Sequence, residues 1–245
     1  MLLLSQIGFV LLTVVYFGLL VREFKNGISK TTWENDRKKK FFNNIVVSLL
    51  LWAVFASVWS YSGMMSDFTM FPFNFLPVLL VPLVTSIVFS LSKSVGDILQ
   101  TIPQENIIRL QSFRFFVELL LWALFIENLL PIQMTFEGRN FDILVGITAP
   151  IIAWLALRNK ISKPLLIAWN LASIVLLVNI VTIAILSTPS PIRVFMNEPS
   201  NTIVALFPVS WLPAFLVPLA YTLHFFSLRK IAVKNSKPAE VLKEA

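Results

Sequence analysis

The residues whose types could do chemistry gather in two short stretches. One is Phe136-Glu137-Gly138-Arg139-Asn140-Phe141-Asp142, and the other holds Arg193, Asn197 and Glu198. A guanidinium set among carboxylates either pairs with them and stiffens a lid, or stays free to grip a carboxylate or phosphate. The candidate ligand-binding residues are therefore Glu137, Arg139, Asn140, Asp142, Arg193, Asn197 and Glu198. Part of the set also has a plainer use. Asn140 with Asp142 suits the capped start of one helix, and Ser200 or Asn201 that of another. A carboxylate pair could instead serve acid–base catalysis or hold a hard cation. No spacing fixes either role: the chain has no nucleophile elbow, HExxH, P-loop or glycine-rich phosphate cradle. No catalytic residue is assigned.

A second polar set lies in apolar surroundings. Gln111, Arg114 and Glu118 fall within about 60° of one another at 100° per residue. Arg114 and Glu118 are four apart, a spacing that permits an ion pair on one helix. Two readings stand: a self-neutralised anchor at the cytoplasmic end of that helix, or a coupling and gating pair. His224 is either a packed residue or a proton relay. Asn170 and Asn179 suit bonds to neighbouring helices, or one of them lines a cavity. With no cysteine and a single histidine, thiol chemistry and multi-histidine metal sites are excluded. Neither a cofactor nor a metal is expected.

These side chains must be held by helices in lipid. Hydrophobic residues make up 57% of the chain and charged ones 13%, with mean hydropathy +0.79. Apolar runs of about 20 residues are what a helix needs to cross the hydrocarbon core. Seven occur, at about 2–21, 44–62, 75–92, 113–131, 141–157, 164–187 and 203–227. None alternates as barrel strands do, so the expected fold is an all-α polytopic membrane protein with seven transmembrane helices. The first run lacks a basic leader and a small-residue cleavage site, and reads as a retained helix rather than a signal peptide.

Charge sets the expected orientation. Of 20 Lys and Arg, 18 fall on one side of this topology, and only Arg139 and Arg193 on the other. The positive-inside bias puts the 18 in the cytoplasm, with the N-terminus outside and the C-terminus inside. The net charge of +7 is then a topology signal, with anionic lipid near Arg37–Lys40 as a further contact. Nucleic acid is not an expected partner.

The strongest internal pattern is a repetition. Phe71-Pro72-Phe73-Asn74-Phe75-Leu76-Pro77-Val78-Leu79-Leu80-Val81-Pro82-Leu83 returns 136 residues later as Phe207-Pro208-Val209-Ser210-Trp211-Leu212-Pro213-Ala214-Phe215-Leu216-Val217-Pro218-Leu219. Eight of thirteen positions are identical, and all three prolines keep their spacing. Four crossings separate the copies, so both run in the same direction. This implies a 3+1+3 parallel repeat: repeat one 1–93, linker helix 104–131, repeat two 140–230, and a cytoplasmic tail 231–245. Prolines inside a helix free a carbonyl and bend it, so Pro77, Pro82, Pro213 and Pro218 are candidate hinges. They join Arg114, Glu118 and His224 as candidate gating or coupling residues.

The 3+1+3 arrangement resembles the SWEET and PQ-loop sugar-transporter architecture in topology, and that resemblance implies a transporter. The motif is not shared, because the only Pro-Gln, Pro103-Gln104, lies in the loop before the fourth run. A retinal pigment would need a lysine deep in the seventh helix, where only Arg229 and Lys230 occur, at its end. The stretch Gln133–Asp142 is similar to bacterial seven-helix membrane proteins of no known function, which implies a bacterial cytoplasmic membrane. The leading expectation is a small-solute transporter with a polar pocket entered from the extracytoplasmic face. The alternatives are a membrane-embedded enzyme acting on a lipid or isoprenoid at the outer leaflet, and a sensor or assembly subunit. The expected partners are the lipid bilayer and a small-molecule ligand, with a homo-oligomer left open.

Overall fold

In the computed structural model the described residues are 2–234. Lys237, Lys243 and the rest of the expected tail beyond Lys234 lie outside them. The described chain is all-helical. Its α-helices are α1 (Leu2–Ser29), α2 (Asn35–Tyr61), α3 (Leu76–Leu91), α4 (Lys93–Thr101), α5 (Gln104–Leu110), α6 (Phe113–Ile126), α7 (Ile143–Leu157), α8 (Lys163–Leu186) and α9 (Val217–Lys234). A π-helical turn, Leu212–Leu216, leads into α9. Helices α1, α2 and α8 are long and apolar enough to cross a membrane, and α3 with α4 makes a fourth candidate, bent by 72°.

Their outward faces carry Leu11, Leu50, Val84 and Val175, all more than half exposed. Such a continuous apolar exterior would be a liability in water, and it suits lipid. The chain is a membrane-associated helical protein.

Helix α1 provides the ruler for depth. A methyl group added at Gly8 would run into Leu120, Tyr16 bonds Ser112, Glu23 accepts from Asn106, and the Gly27 carbonyl accepts from Thr101. Residues 101–120 thus run antiparallel along the whole of α1, in two helices joined by a tight turn at Gln111 and Ser112. Tyr16 is at the middle of α1, so Ser112 and the nearby Arg114 sit level with the middle of that helix. Ser173, at the middle of α8, is level with them through its carbonyl, which accepts from Arg114.

The elements depart from the sequence expectation where polar residues prolong helices or backbone breaks them. The first two apolar runs end at charge, yet α1 continues to Ser29 and α2 already begins at Asn35. Lysine and arginine are good helix formers, and the helix outlives the hydrophobic pattern. Arg37 stacks on Trp33 with 4.0 Å to the ring centroid. Helix α6 stops at Ile126 rather than 131, while the polar Gln104–Leu110 forms α5 and extends the same span.

The expected seventh helix is irregular over residues 203–210, which hold a short 3₁₀ turn and the cis Phe207–Pro208 bond; Phe71–Pro72 is also cis. Pro77 and Pro213 are each the second residue of their helix. There the absent N–H was unneeded, so these two are starts rather than kinks. Pro82 lies inside α3. Pro218 frees the carbonyl of Ala214, and the Trp52 indole N–H from α2 donates to that oxygen at 2.9 Å.

Candidate functional site

Six of the residues singled out from sequence converge on one buried network. Arg114, in the first turn of α6, forms a two-pronged ion pair with Asp142, the residue before α7. Their side chains are 1% and 7% exposed. The Nη1 group of Arg114 lies 3.0 Å from Nε2 of His224 on α9. Since guanidinium only donates, that ring nitrogen accepts, and the proton of a neutral imidazole sits on Nδ1. Nδ1 accordingly donates to Asn170 Oδ1 at 2.9 Å, and Asn170 in turn donates to the Leu166 carbonyl. Arg114 Nη2 also donates to the Ser173 carbonyl. One turn along α6, Glu118 accepts from Asn140 Nδ2 at 2.6 Å, and Asn140 Oδ1 takes the backbone N–H of Asp142.

This corrects three expectations. Arg114 pairs with Asp142 across helices rather than with Glu118 on its own helix, because the carboxylate of Asp142 reaches both of its N–H prongs. Arg114, although it opens α6, lies level with the middle of α1 rather than at the end of the span, with Glu118 one turn further along. Asn140 and Asp142 are not surface loop residues: they are buried against α6.

The local geometry explains how. After α6 the chain does not go straight into another helix but doubles back along α6, placing Glu137 beside Trp122, Asn140 beside Glu118 and Asp142 beside Arg114. Two glycines allow it. A side chain at Gly138 would strike the Ile132 carbonyl, and one at Gly146 would strike the Phe115 backbone. Irregular backbone at this depth is tolerable only because protein surrounds it.

The remaining candidates form a separate lid at the end where α1 begins. Arg193 donates from Nε to the Phe195 carbonyl and from Nη2 to the Asn197 carbonyl, and pairs with Glu198 at 3.0 Å. That pairing with Arg193, followed by the Ser200 N–H, holds the exposed Glu198 carboxyl below its usual range. Asn197 donates to Gln133, and the Arg139 guanidinium lies over the Phe195 ring, 5.3 Å from its centroid. The two polar loops are thus stitched to each other. Glu137 accepts from the Trp122 indole at 2.8 Å, so it shares no site with Asp142.

Between the network and the lid lies a cavity of about 90 Å³ bounded by α3, α6, α8 and the start of α9. Its walls are apolar, with Phe71, Phe75 and Phe113 among them. Arg114, Glu118 and Asp142 form one end, and Thr188 and Asn201 the other. Asn201 does not cap the last helix as expected: its Nδ2 donates to the Ala184 carbonyl at 3.0 Å. Its Oδ1 is buried with no partner. The sequence offered no reason to single out Ser173, and it offered Asn201 only as a helix cap; their roles come from contacts with other segments.

Residues 99–232 match the model of a family described as a domain of unknown function, DUF8737. The match spans more than half of the chain, which therefore belongs to this family. It contains every residue of the buried network and leaves out α1 to α3. No curated protein and no solved structure matches the chain.

Proposed function

We propose that this chain is a multi-pass transporter of a small solute, in which the Arg114–Asp142–His224 network is the coupling element and the adjoining cavity the binding site. The reading takes seven crossings, with the N-terminus outside and the C-terminus in the cytoplasm of a bacterial-type cell. The observation that carries it is the placement of a buried ion pair, a further carboxylate and a histidine at mid-depth, where two helix breaks meet beside a cavity. Ionisable groups at such depth are costly and are retained mainly where they serve a pathway. Transporters commonly bind at the midplane between interrupted helices.

The proline repeat adds support. The equivalent residues Ser86 and Thr222, 136 apart, bond to each other at 2.7 Å across α3 and α9. Equivalent positions meeting is what two parallel repeats packed about a shared axis would give. Arg193 and Glu198, paired with each other and with backbone, belong to the lid rather than to ligand selection. Acid–base catalysis by an outer carboxylate pair has less support, since Glu137 and Asp142 hold separate partners.

The test is uptake by proteoliposomes of the purified full chain against a panel of sugars, amino acids, amines and organic anions. Uptake of one class is expected, driven by a proton gradient and falling at least tenfold in Asp142→Asn. A folded protein that accumulates nothing on the panel sinks the transport reading.

A further inference from the structure

The cavity itself indicates what it would hold. We propose that it binds a small lipophilic cation, an ammonium on an apolar body, with the ammonium against Glu118. The proposal rests on the transport reading only for the direction of movement; the binding chemistry stands on its own.

Three observations support it. First, the charges at the inner end do not balance. Arg114 is matched by Asp142, His224 serves as acceptor toward Arg114, and Glu118 is then left over. Its carboxylate receives one bond, from Asn140, and among the described residues no cation pairs with it. A surplus negative charge in an apolar setting calls for a proton or a cation.

Second, the open polar positions facing the cavity are mostly acceptors. Four of the five Arg114 N–H groups are spent on Asp142, His224 and Ser173, leaving one on Nη1. At the other end, about 16 Å further along α8 between the levels of Ser173 and Ala184, Asn201 presents a buried Oδ1 without a donor. The amide is not the other way round, because its nitrogen is fixed by the Ala184 carbonyl. An anion would meet repulsion at one end and no donor at the other. A sugar would leave most of its hydroxyls unpaired against apolar walls.

Third, Phe71, Phe75 and Phe113 line the space, and aromatic faces attract desolvated cations.

The experiment measures binding to the full-length protein in detergent, using three probes of similar shape: 2-phenylethylammonium, 2-phenylethanol and 3-phenylpropanoate. The expected order is ammonium tightest, the alcohol at least tenfold weaker, and the carboxylate undetectable. Glu118→Gln keeps an acceptor for Asn140 while removing the charge. It should weaken the ammonium at least tenfold and leave the alcohol unchanged, with thermal unfolding confirming the fold. Equal binding of the three probes, a preference for the carboxylate, binding of none of them, or an unchanged ammonium affinity in Glu118→Gln would overturn the proposal. Ammonium binding without uptake in proteoliposomes leaves this inference standing and removes the transport reading. Uptake of another class without ammonium binding does the reverse.

Discussion

At the scale of single residues, Arg114 determines the character of the site. Two charges withdrawn from water cost several kcal/mol each, and their attraction repays this only when remaining donors and acceptors are filled. Here Ser173 and His224 take further Arg114 donors, and Asn140 holds the backbone of Asp142 in place. Removing one partner leaves the other charge buried alone. Arg114→Met or Asp142→Leu is therefore expected to destabilise the protein by about 3–5 kcal/mol, while the double substitution returns to within about 2 kcal/mol of the parent. Chemical unfolding of the four proteins in micelles checks this, and additive losses would refute the pairing. The sequence flagged Arg114, Glu118, Asn140, Asp142 and His224 by the cost of their burial or by their clustering. It could not assemble them, because Arg114 and Asp142 are 28 residues apart and a closer acid, Glu118, satisfied the local spacing rule. Long-range choice of partner is set by how the chain doubles back at Gly138 and Gly146, which local pattern does not encode.

At the scale of elements, the prolines show how a repeated motif can serve different ends within one helix. Pro77 and Pro213 open their helices and cost nothing, whereas Pro218 strips Ala214 of its usual partner and Trp52 supplies a replacement. Away from water no solvent can take over that role, so Trp52→Phe should cost about 1–3 kcal/mol, more than the few tenths expected of a shape-conserving change without a lost bond. Comparing its midpoint of unfolding with that of Trp33→Phe, whose indole only reaches Asp97 at 3.3 Å in a part-buried setting, provides the control. The helical character of the apolar runs was legible because hydrophobic windows are long. Helix ends were not, since α1, α2 and α5 continue through lysine, arginine and glutamine that favour helix without favouring lipid. Residues 203–210 misled in the opposite sense: their apolar text reads as helix, and Pro208 keeps the turn outside it.

For the molecule as a whole, the distribution of charge and the antiparallel run of 101–120 along α1 make a directional prediction. The natural chain has no cysteine, so single cysteines report cleanly. Lys39→Cys, between the first two spans, should react with a membrane-impermeant maleimide only after cells are permeabilised. Met196→Cys, 70% exposed in the lid, should react in intact cells. The opposite pattern would reverse the assigned orientation. The family match to residues 99–232 adds that the network belongs to the part of the chain after α3.

The stretch between α6 and α7 also bears on how the protein is made. Its backbone, carried down beside α6 to the level of Asp142, has carbonyls and amides that no helix satisfies and that lipid would not solvate. While ribosomal synthesis is delivering α6, neither α8 nor α9 exists to enclose it. Its short turns pair much of that backbone within the stretch itself, but Arg114 and Asp142 gain their cover from Ser173 and His224 only once α8 and α9 are in place. A nascent chain stopped short of α9 is therefore expected to hold its first spans in the bilayer with its central charges still outside.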